Sequence, residues 1–309
     1  MNAFHFYTKA YGYTRNYRGV PFWFLTPFRR VIRDMAARRL PIYFSKVPAN
    51  IYRPRNEDVV VSLTSFPARI CFVFMTIESL LRQTLLPGKI ILWLSKDQFP
   101  TEDSVPVRLR HLQNEVFSIR CVDGDIRSHK KYYYSFQEFP EKTIITVDDD
   151  IIYPPLLVEQ LVGFSKSFPN CVVANVASKL SYHDGKLNNY RMWKNASPFD
   201  KNDIVQIGFG GVLYPPNCLF EDCLKLELSQ KLAPSVDDLW LNAMARLQGT
   251  CVVKTPHNKS FLPIVIPNNQ TLTSVNNGQS RNDVQLKQIR DYYANTKYGD
   301  PYVKHLNLG

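Results

Sequence analysis

The most informative segment for predicting the fold is Thr143-Ile144-Ile145-Thr146-Val147-Asp148-Asp149-Asp150-Ile151-Ile152-Tyr153-Pro154. Its apolar run is too short for a helix and is rich in β-branched residues, which predicts a buried strand. Three aspartates follow that strand directly. Ligands of open α/β sheets gather at the carboxyl ends of the strands, so we expect the aspartates to lie at a binding edge.

The spacing of the aspartates indicates a metal site. Alternate residues of an extended chain face the same side, so Asp148 and Asp150 can converge while Asp149 points away. Two carboxylates about 4 Å apart repel by roughly 4 kcal/mol at an effective dielectric near 20, and a cation relieves that repulsion. Hard oxygen ligands suit Mn²⁺ or Mg²⁺, with water or substrate phosphate in the remaining positions. A solvated acidic turn is the alternative interpretation.

Composition narrows the class of protein. The 309 residues, 45% of them hydrophobic, suffice for one large domain or two modest ones. The chain has no apolar run of about 18 residues and no signal-peptide pattern, so we expect neither a transmembrane helix nor secretion. Six cysteines without a CxxC pair predict reduced core residues of a cytoplasmic protein and no zinc site.

Residues 1–56 form a basic, aromatic N-terminal arm. They hold eleven basic residues and one acidic residue, hence a net charge of +10, and leave +1 for the rest of the chain. Thr26 as a cap, Pro27 at the first helical position and Pro41 as a stop predict a helix between them. Its apolar face consists of Phe28, Val31, Ile32 and Met35, and arginines occupy the remainder.

The partner of this arm has two interpretations. A cationic amphipathic helix with flanking aromatics suits an anionic membrane surface, contacted through residues 22–40. Packing of the apolar face on the protein's own body is the alternative. Nucleic acid is not an expected partner, because the chain has no recognised motif and no second basic stripe.

Strands and helices alternate in the body of the chain, which we assign to residues 57–295 with a C-terminal tail at 296–309. The predicted strands before the aspartates are Val59–Leu63, Lys89–Leu94 and Phe117–Val122, with helices near 72–83, 105–114 and from Lys130. This alternation predicts an α/β fold with a Rossmann-like, mostly parallel central sheet and helices on both faces. Neither a GxGxxG nor a P-loop motif is present.

The half that follows the aspartates is predicted to be mixed. It contains a helix at 156–168, a strand at 171–175, a polar loop at 181–203, a glycine-rich segment at 208–211, a helix starting near Asp237 and Asp238, a polar segment at 264–282 and a last helix at 283–295. Glycines allow a backbone to approach a ligand closely, or they mark a bulge. Aspartates in a first helical turn can take part in a reaction, or they can simply stabilise the helix through its dipole.

Together these parts suit a nucleotide diphosphate-sugar donor. A metal at the strand end can bridge the diphosphate and act as a Lewis acid for the leaving group. A downstream carboxylate can take the proton of an acceptor hydroxyl.

Five segments together resemble bacterial GT-A-fold glycosyltransferases of surface-polysaccharide synthesis. The resemblance covers about residues 58–290, without the arm, and is carried by Val60-Val61-Ser62-Leu63-Thr64-Ser65-Phe66-Pro67, Lys130-Lys131, Thr146-Val147-Asp148-Asp149-Asp150-Ile151-Ile152-Tyr153, Gly210-Gly211-Val212-Leu213-Tyr214 and Asp237-Asp238-Leu239-Trp240.

The resemblance implies a role for each matching residue. Asp148 and Asp150 take the metal and diphosphate positions, with Asp149 near the ribose or donor sugar. His257 is a candidate late metal ligand, although a lone histidine is more often structural. The residues implied on the donor side are Thr64, Ser65, Arg69, Asp97, Lys130, Lys131, Gly210 and Gly211, and those implied as the general base are Asp238 or its neighbour Asp237.

One segment departs from the family pattern. Ser95-Lys96-Asp97 stands where Asp-Asp-Gly-Ser is expected after a nucleotide-binding strand, which leaves the base of the nucleotide open.

The sequence therefore predicts a metal-dependent, hexosyltransferase-like glycosyltransferase. A nucleotide-sugar, with UDP favoured, donates its sugar to a cell-surface glycan or a lipid-linked acceptor, in the cytoplasm or at the inner face of the cytoplasmic membrane. Asp238 favours inversion, and retention stays open. Two alternatives share these features: a metal-dependent nucleotidyltransferase or phosphoesterase, and a non-catalytic glycan-binding protein on the same fold.

Overall fold

A seven-stranded central sheet organises the protein. The computed structural model describes residues 2–16, 22–200, 203–257, 261–267 and 281–303. In chain order the strands are β1 (Arg55–Thr64), β2 (Leu86–Ser95), β3 (Phe117–Val122), β4 (Thr143–Thr146), β5 (Ile151–Ile152), β6 (Val172–Ala174), β7 (Ala177–Lys179), β8 (Tyr182–His183), β9 (Lys186–Leu187), β10 (Lys194–Asn195), β11 (Ile204–Gln206), β12 (Val212–Tyr214), β13 (Val252–Lys254) and β14 (Leu262–Pro263).

Helices flank this sheet and precede it. They are α1 (Ala3–Asn16), α2 (Phe22–Lys46), α3 (Val73–Leu80), α4 (Val107–Arg110), α5 (Lys130–Glu138), α6 (Leu157–Ser165), α7 (Leu226–Leu232), α8 (Asp237–Gln248) and α9 (Arg281–Ala294).

The order of the strands is β13-β6-β12-β4-β1-β2-β3. Strands β4, β1, β2 and β3 pair in parallel, and so do β6 and β13, whereas β12 is antiparallel to both of its neighbours. The prediction of a mostly parallel sheet with a mixed second half is therefore confirmed. The chain leaves β1 towards β2 and β3, then returns to β4 on the other side of β1. This reversal places a crevice between the carboxyl ends of β1 and β4.

Alternation along β1 explains why helices cover both faces of the sheet. Val61 and Leu63 belong to the apolar cluster that contains the α3 side chains, whereas Val60 points into a cluster flanked by Tyr134 and Phe136 of α5. Successive side chains of a strand point to opposite faces, so a continuous apolar run is buried on both. The β1–β4 crevice therefore has rigid, packed walls.

The limits predicted for the arm helix are wrong. Helix α2 begins at Phe22 and continues through Pro41 to Lys46. A proline removes one helical hydrogen bond, but here Leu40 and Phe44, 0% and 3% exposed, anchor both sides of Pro41 in the main core. The Pro41 carbonyl also accepts a hydrogen bond from Arg108 at 2.8 Å. Within the described residues, none of the helices is long and apolar enough to cross a membrane.

The prediction that most of the six cysteines are reduced core residues is also wrong, because it holds only for Cys218 and Cys223. Cys171 and Cys251 form a disulfide with their Cα atoms 4.9 Å apart, and Cys71 and Cys121 are exposed. Each disulfide partner directly precedes a strand, and those strands, β6 and β13, pair in parallel. Strand pairing therefore brings together two residues that are 80 positions apart in sequence.

Candidate active site

Asp149, which follows β4, is hydrogen-bonded to residues that follow β1 on the other side of the crevice. Its carboxylate accepts hydrogen bonds from Ser65 Oγ at 2.6 Å and Arg69 Nη1 at 2.8 Å, both of which follow β1. Its carbonyl accepts the Thr76 hydroxyl at 2.8 Å. Asp149 is only 5% exposed, so its side chain faces the protein interior, and the ribose-side position implied by the resemblance stays a prediction.

Asp148 and Asp150 face the opening of the crevice. Their side chains are 33% and 27% exposed. Burial and then the charge of Asp148 raise the pKa of Asp150 to about 6, while Arg69, whose Nη1 lies 2.9 Å from Asp150 Oδ2, opposes the rise. The two carboxylates thus lie close enough to repel each other, which is the situation that a bound cation relieves.

The chemistry of this pair fits a hard divalent ion. Within the part of the chain that the structure describes, no three His, Cys, Asp or Glu side chains cluster closely enough to hold a metal by themselves. Mg²⁺ and Mn²⁺ sites often use one or two carboxylates and fill the other positions with substrate phosphate and water. Asp148 and Asp150 match the protein share of such a site in number and in chemistry.

Lys131 joins the aspartates to the start of α8. Its Nζ lies 3.0 Å from Asp148 Oδ1 and 2.9 Å from Asp237 Oδ2, and the side chain is 6% exposed. Burial alone lowers the pKa of this lysine, but Asp148, Asp237 and Asp238 together raise it well above its usual range. Lys131 is therefore a fixed positive charge.

The two acids at the start of α8 have opposite environments. Burial raises the pKa of Asp237, but Lys131, His129 and Ser128 together outweigh burial, and the net pKa lies below the usual value. Asp238 is partly exposed and accepts the Gly208 amide proton at 2.9 Å. Burial and then the charge of Asp237 raise the pKa of Asp238 to about 7. Asp237 thus stays ionised, whereas Asp238 can exchange a proton near neutral pH.

The glycine segment is shaped by its neighbours within the chain. A β-carbon on Gly210 would lie 2.5 Å from Val176 Cγ2, and Gly211 has a φ of +80°. Packing and backbone conformation therefore account for Gly210 and Gly211, and their contact with the donor stays a prediction. A β-carbon on Gly208, which was not assigned, would lie 2.9 Å from Asp238 Oδ1 and 3.1 Å from Lys131 Nζ.

Tyr153 connects this segment to the aspartates. Its hydroxyl accepts the Asp148 amide proton at 2.9 Å and donates to the Phe209 carbonyl at 3.0 Å. The strand end, the glycine segment and the start of α8 are therefore held in one arrangement by hydrogen bonds and ion pairs.

The remaining candidates lie away from this cluster. The Thr64 hydroxyl donates to the Trp93 carbonyl at 2.8 Å, and Asp97 is exposed in the turn after β2. Lys130 is buried and pairs with Asp125 after β3. Burial and Lys254 lower the pKa of His257, and the three aspartates are not among the groups that shift it.

An aromatic pair outside the predicted site residues has one member that is influenced by the charge of Asp238. Tyr190 and Trp193 belong to the polar segment at 181–203, and their rings are 4.9 Å apart. Burial raises the pKa of Tyr190 to about 12, with Asp238 and then Asp283 adding to the effect, so the phenol is within electrostatic reach of Asp238. The Tyr190 amide donates to Asp283 at 2.7 Å, which ties this segment to the start of α9.

Comparisons with known proteins give distant similarities. No family model matches the chain, and no curated protein matches it. The chain is similar to a solved structure of the mannosyltransferase PcManGT from Pyrobaculum calidifontis in complex with GDP-Man and Mn²⁺, with 12% identity and a TM-score of 0.49 over 88% of this chain and 74% of that one.

Two crystal structures of S. aureus TarS 1–349, one in complex with UDP, are also similar. Their identities are 11% and 10%, and their TM-scores are 0.43 and 0.44. The match covers 77% of this chain and 66% of TarS 1–349, just under two thirds of it. At this distance, residue roles have to come from the contacts within this chain.

Proposed function

We propose that the protein is a metal-dependent glycosyltransferase. It moves a sugar from a nucleotide-sugar, with a UDP-sugar favoured, to a cell-surface glycan or a lipid-linked glycan. The observation that carries the proposal is the position of Lys131, which joins Asp148 at the strand end to the acidic start of α8. A site for an anionic leaving group and a carboxylate that can take a proton thus share one charge cluster.

The donor side uses Asp148, Asp150 and Lys131. The two aspartates would hold Mn²⁺ or Mg²⁺, which acts as a Lewis acid for a leaving diphosphate when bound. Lys131 supplies a fixed positive charge beside Asp148, and such a charge stabilises the negative charge that develops on the diphosphate. Asp149, Ser65 and Arg69 hold the strand end in place through the contacts described above.

The acceptor side uses Asp238. During transfer the bond between the anomeric carbon and the diphosphate oxygen breaks, and its electron pair leaves with the diphosphate. The acceptor hydroxyl oxygen bonds to the anomeric carbon, and its proton passes to Asp238. A base with a pKa near the working pH is well matched to this step. A base on the acceptor side favours direct displacement, so we infer inversion at the anomeric carbon.

Tyr190 and Trp193 extend the acceptor side. Aromatic faces pack against the apolar faces of sugar rings, and the tyrosine hydroxyl adds a polar contact. The electrostatic influence of Asp238 on Tyr190, and the packing of Trp193 on Tyr190, support an acceptor sugar bound on this side of the base. We assign the reaction to the cytoplasm or the inner face of the cytoplasmic membrane, where nucleotide-sugar donors and lipid-linked acceptors meet.

The test is a panel of UDP- and GDP-linked sugars with Mn²⁺ or Mg²⁺ and analysis of the released product. We expect metal-dependent release of a nucleoside diphosphate, loss of that release in Asp148→Asn, and no loss in the control Asp184→Asn, which changes an aspartate that is 86% exposed. Release of pyrophosphate would instead indicate a nucleotidyltransferase. Glycan binding without turnover of any donor would indicate a non-catalytic protein.

A further inference from the structure

Helix α2 presents two apolar stripes, and the rest of the described chain covers only one of them. The covered stripe belongs to the main core and consists of Ala36, Leu40 and Phe44. The second stripe is 46% to 57% exposed and consists of Phe28, Val31, Met35 and Ile42.

The two stripes lie on nearly opposite sides of the helix. At about 100° per residue, the four exposed side chains fall within an arc of roughly 60°, centred roughly 150° from the covered stripe. At about 1.5 Å per residue, the distance from Phe28 to Ile42 is about 21 Å. Helix α2 therefore lies between the protein body and whatever contacts the exposed stripe. An apolar strip of this length on a surface marks an interaction site.

The border of the exposed stripe is cationic. Arg38 and Arg39 are both exposed, and each lies about 20° beyond one edge of the stripe. Most of the chain's excess positive charge lies in the same N-terminal region. An apolar strip bordered by arginines is complementary to an anionic lipid surface, into which the apolar side chains insert while the arginines meet the head groups.

A second copy of the chain fits this stripe less well. Two copies packed stripe to stripe would bring Arg38 and Arg39 of one copy towards the same residues of the other, and like charges at such an interface repel. Charge complementarity thus favours lipid over self-association.

We propose that this exposed stripe docks the protein on an anionic phospholipid surface, with α2 lying in the plane of the interface. The proposal concerns a surface outside the β1–β4 crevice, and it is independent of the reaction assigned to that crevice. It also revises the helix face expected from the sequence, because Ile32 is partly buried against the core whereas Ile42 is exposed.

The test is sedimentation of the full-length protein with vesicles of phosphatidylcholine, alone or with 30% phosphatidylglycerol. We expect binding to the anionic vesicles that weakens as salt is raised. The double variant Phe28→Ser/Val31→Ser should bind at least tenfold more weakly, because each buried CH₂ favours insertion. Arg38→Gln/Arg39→Gln should bind roughly 30-fold more weakly, from the usual contribution of one basic residue near an anionic surface.

Matched controls separate the stripe from general surface changes. Met192→Ser/Val284→Ser removes two side chains that are 59% and 52% exposed elsewhere. Lys186→Gln/Lys194→Gln removes two exposed positive charges elsewhere. Both controls should bind like the native protein, and circular dichroism should show all four double variants folded. Equal binding by the stripe variants and their controls would overturn the proposal.

A fluorescence measurement covers the case in which a serine variant fails to fold. Val31→Trp keeps the stripe apolar and should show a blue shift on anionic vesicles, whereas Val284→Trp should show none. Absence of vesicle binding by the native protein, together with dimers in analytical ultracentrifugation that Phe28→Ser/Val31→Ser abolishes, would assign the stripe to a second copy and refute lipid docking.

Discussion

Replacing Lys131 by methionine is a stringent test of the charge cluster that Lys131 forms with Asp148, Asp237 and Asp238. Methionine keeps much of the length and the apolar contacts of lysine but removes the charge that faces Asp148 and Asp237. Asp148 is one-third exposed and can be solvated by water, whereas Asp237 is 7% exposed and is left as an uncompensated buried charge. Removing one partner of a buried ion pair costs about 3 to 5 kcal/mol, so we expect a loss near 3 kcal/mol at pH 7.

The pH dependence of this loss follows from the pKa of Asp237. In the native protein Lys131, with smaller contributions from His129 and Ser128, outweighs burial and holds that pKa below its usual value, so ionised Asp237 stabilises the fold above about pH 4, and this contribution disappears as the pH falls. In Lys131→Met burial is opposed only by the smaller contributions of His129 and Ser128, so we expect the pKa of Asp237 to rise, and protonation on acidification then relieves the variant. The difference between the two proteins should therefore shrink by at least half between pH 7 and pH 4.

Urea denaturation followed by circular dichroism measures this difference. Lys130→Met is the control, because Lys130 is also buried but faces Asp125, whose side chain is 28% exposed and can be solvated by water. We expect the control to lose about 1 kcal/mol, the range of partly exposed pairs. A Lys131→Met loss that equals the control, or that is the same at pH 7 and pH 4, would refute the buried charge cluster.

Three further results are expected. Gly208→Ala should lower the transfer rate at least tenfold and cost about 1 to 3 kcal/mol of stability, because its β-carbon would crowd Asp238 and Lys131. The control Gly163→Ala has open space around the new β-carbon and should change neither the rate nor the stability. Initial rates and thermal melts measure both effects. The logarithm of kcat/KM should rise with unit slope up to a pH near 7 as Asp238 loses its proton, then level off; a profile without this inflection excludes Asp238 as the base. Trp193→Ala should raise the KM for acceptor and leave the KM for donor unchanged, as steady-state kinetics will show.

The parallel half of the sheet was predictable because local sequence patterns, short apolar runs between turn residues, indicate its strands. The strand Phe117–Val122 has the predicted limits. In the strand before the aspartates, only Val147 lies between the last strand residue, Thr146, and Asp148. Buried parallel strands are short, continuous apolar runs between turn residues, which a single sequence displays directly.

The errors in the fold have a common origin in long-range packing. The sequence rules end a helix at a proline, but the packing of Phe44 on the main core keeps α2 helical beyond Pro41. The disulfide depends on the pairing of β6 with β13, which no local signal encodes. The polar segment predicted at 264–282 lies largely outside the described residues, as does the end of the tail at 304–309.

The site was predictable in its acids and less so in what surrounds them. The period of two along an extended chain predicts that Asp149 points away from Asp148 and Asp150. Asp149 is more buried than the other two, but residues 149 and 150 lie in a turn, and both of their carboxylates contact Arg69. Gly208 and Tyr190 lie about 30 and 48 positions before Asp238 in sequence, so no local spacing rule predicts that they influence it. A glycine before Phe209 and an aromatic pair in a polar loop were the available signals, and each is common in proteins without any function of this kind.

The central claim is that the leaving group and the acceptor proton are handled by different carboxylates in one cluster. The most direct measurement compares Asp148→Asn with Asp238→Asn in Mn²⁺-dependent donor binding, by calorimetry, and in single-turnover transfer. We expect Asp148→Asn to lose metal-dependent binding, and Asp238→Asn to bind donor like the native protein while transferring sugar 10² to 10⁴ times more slowly, the usual contribution of a general base. Native transfer rates in Asp238→Asn, or unchanged metal-dependent binding in Asp148→Asn, would contradict the claim.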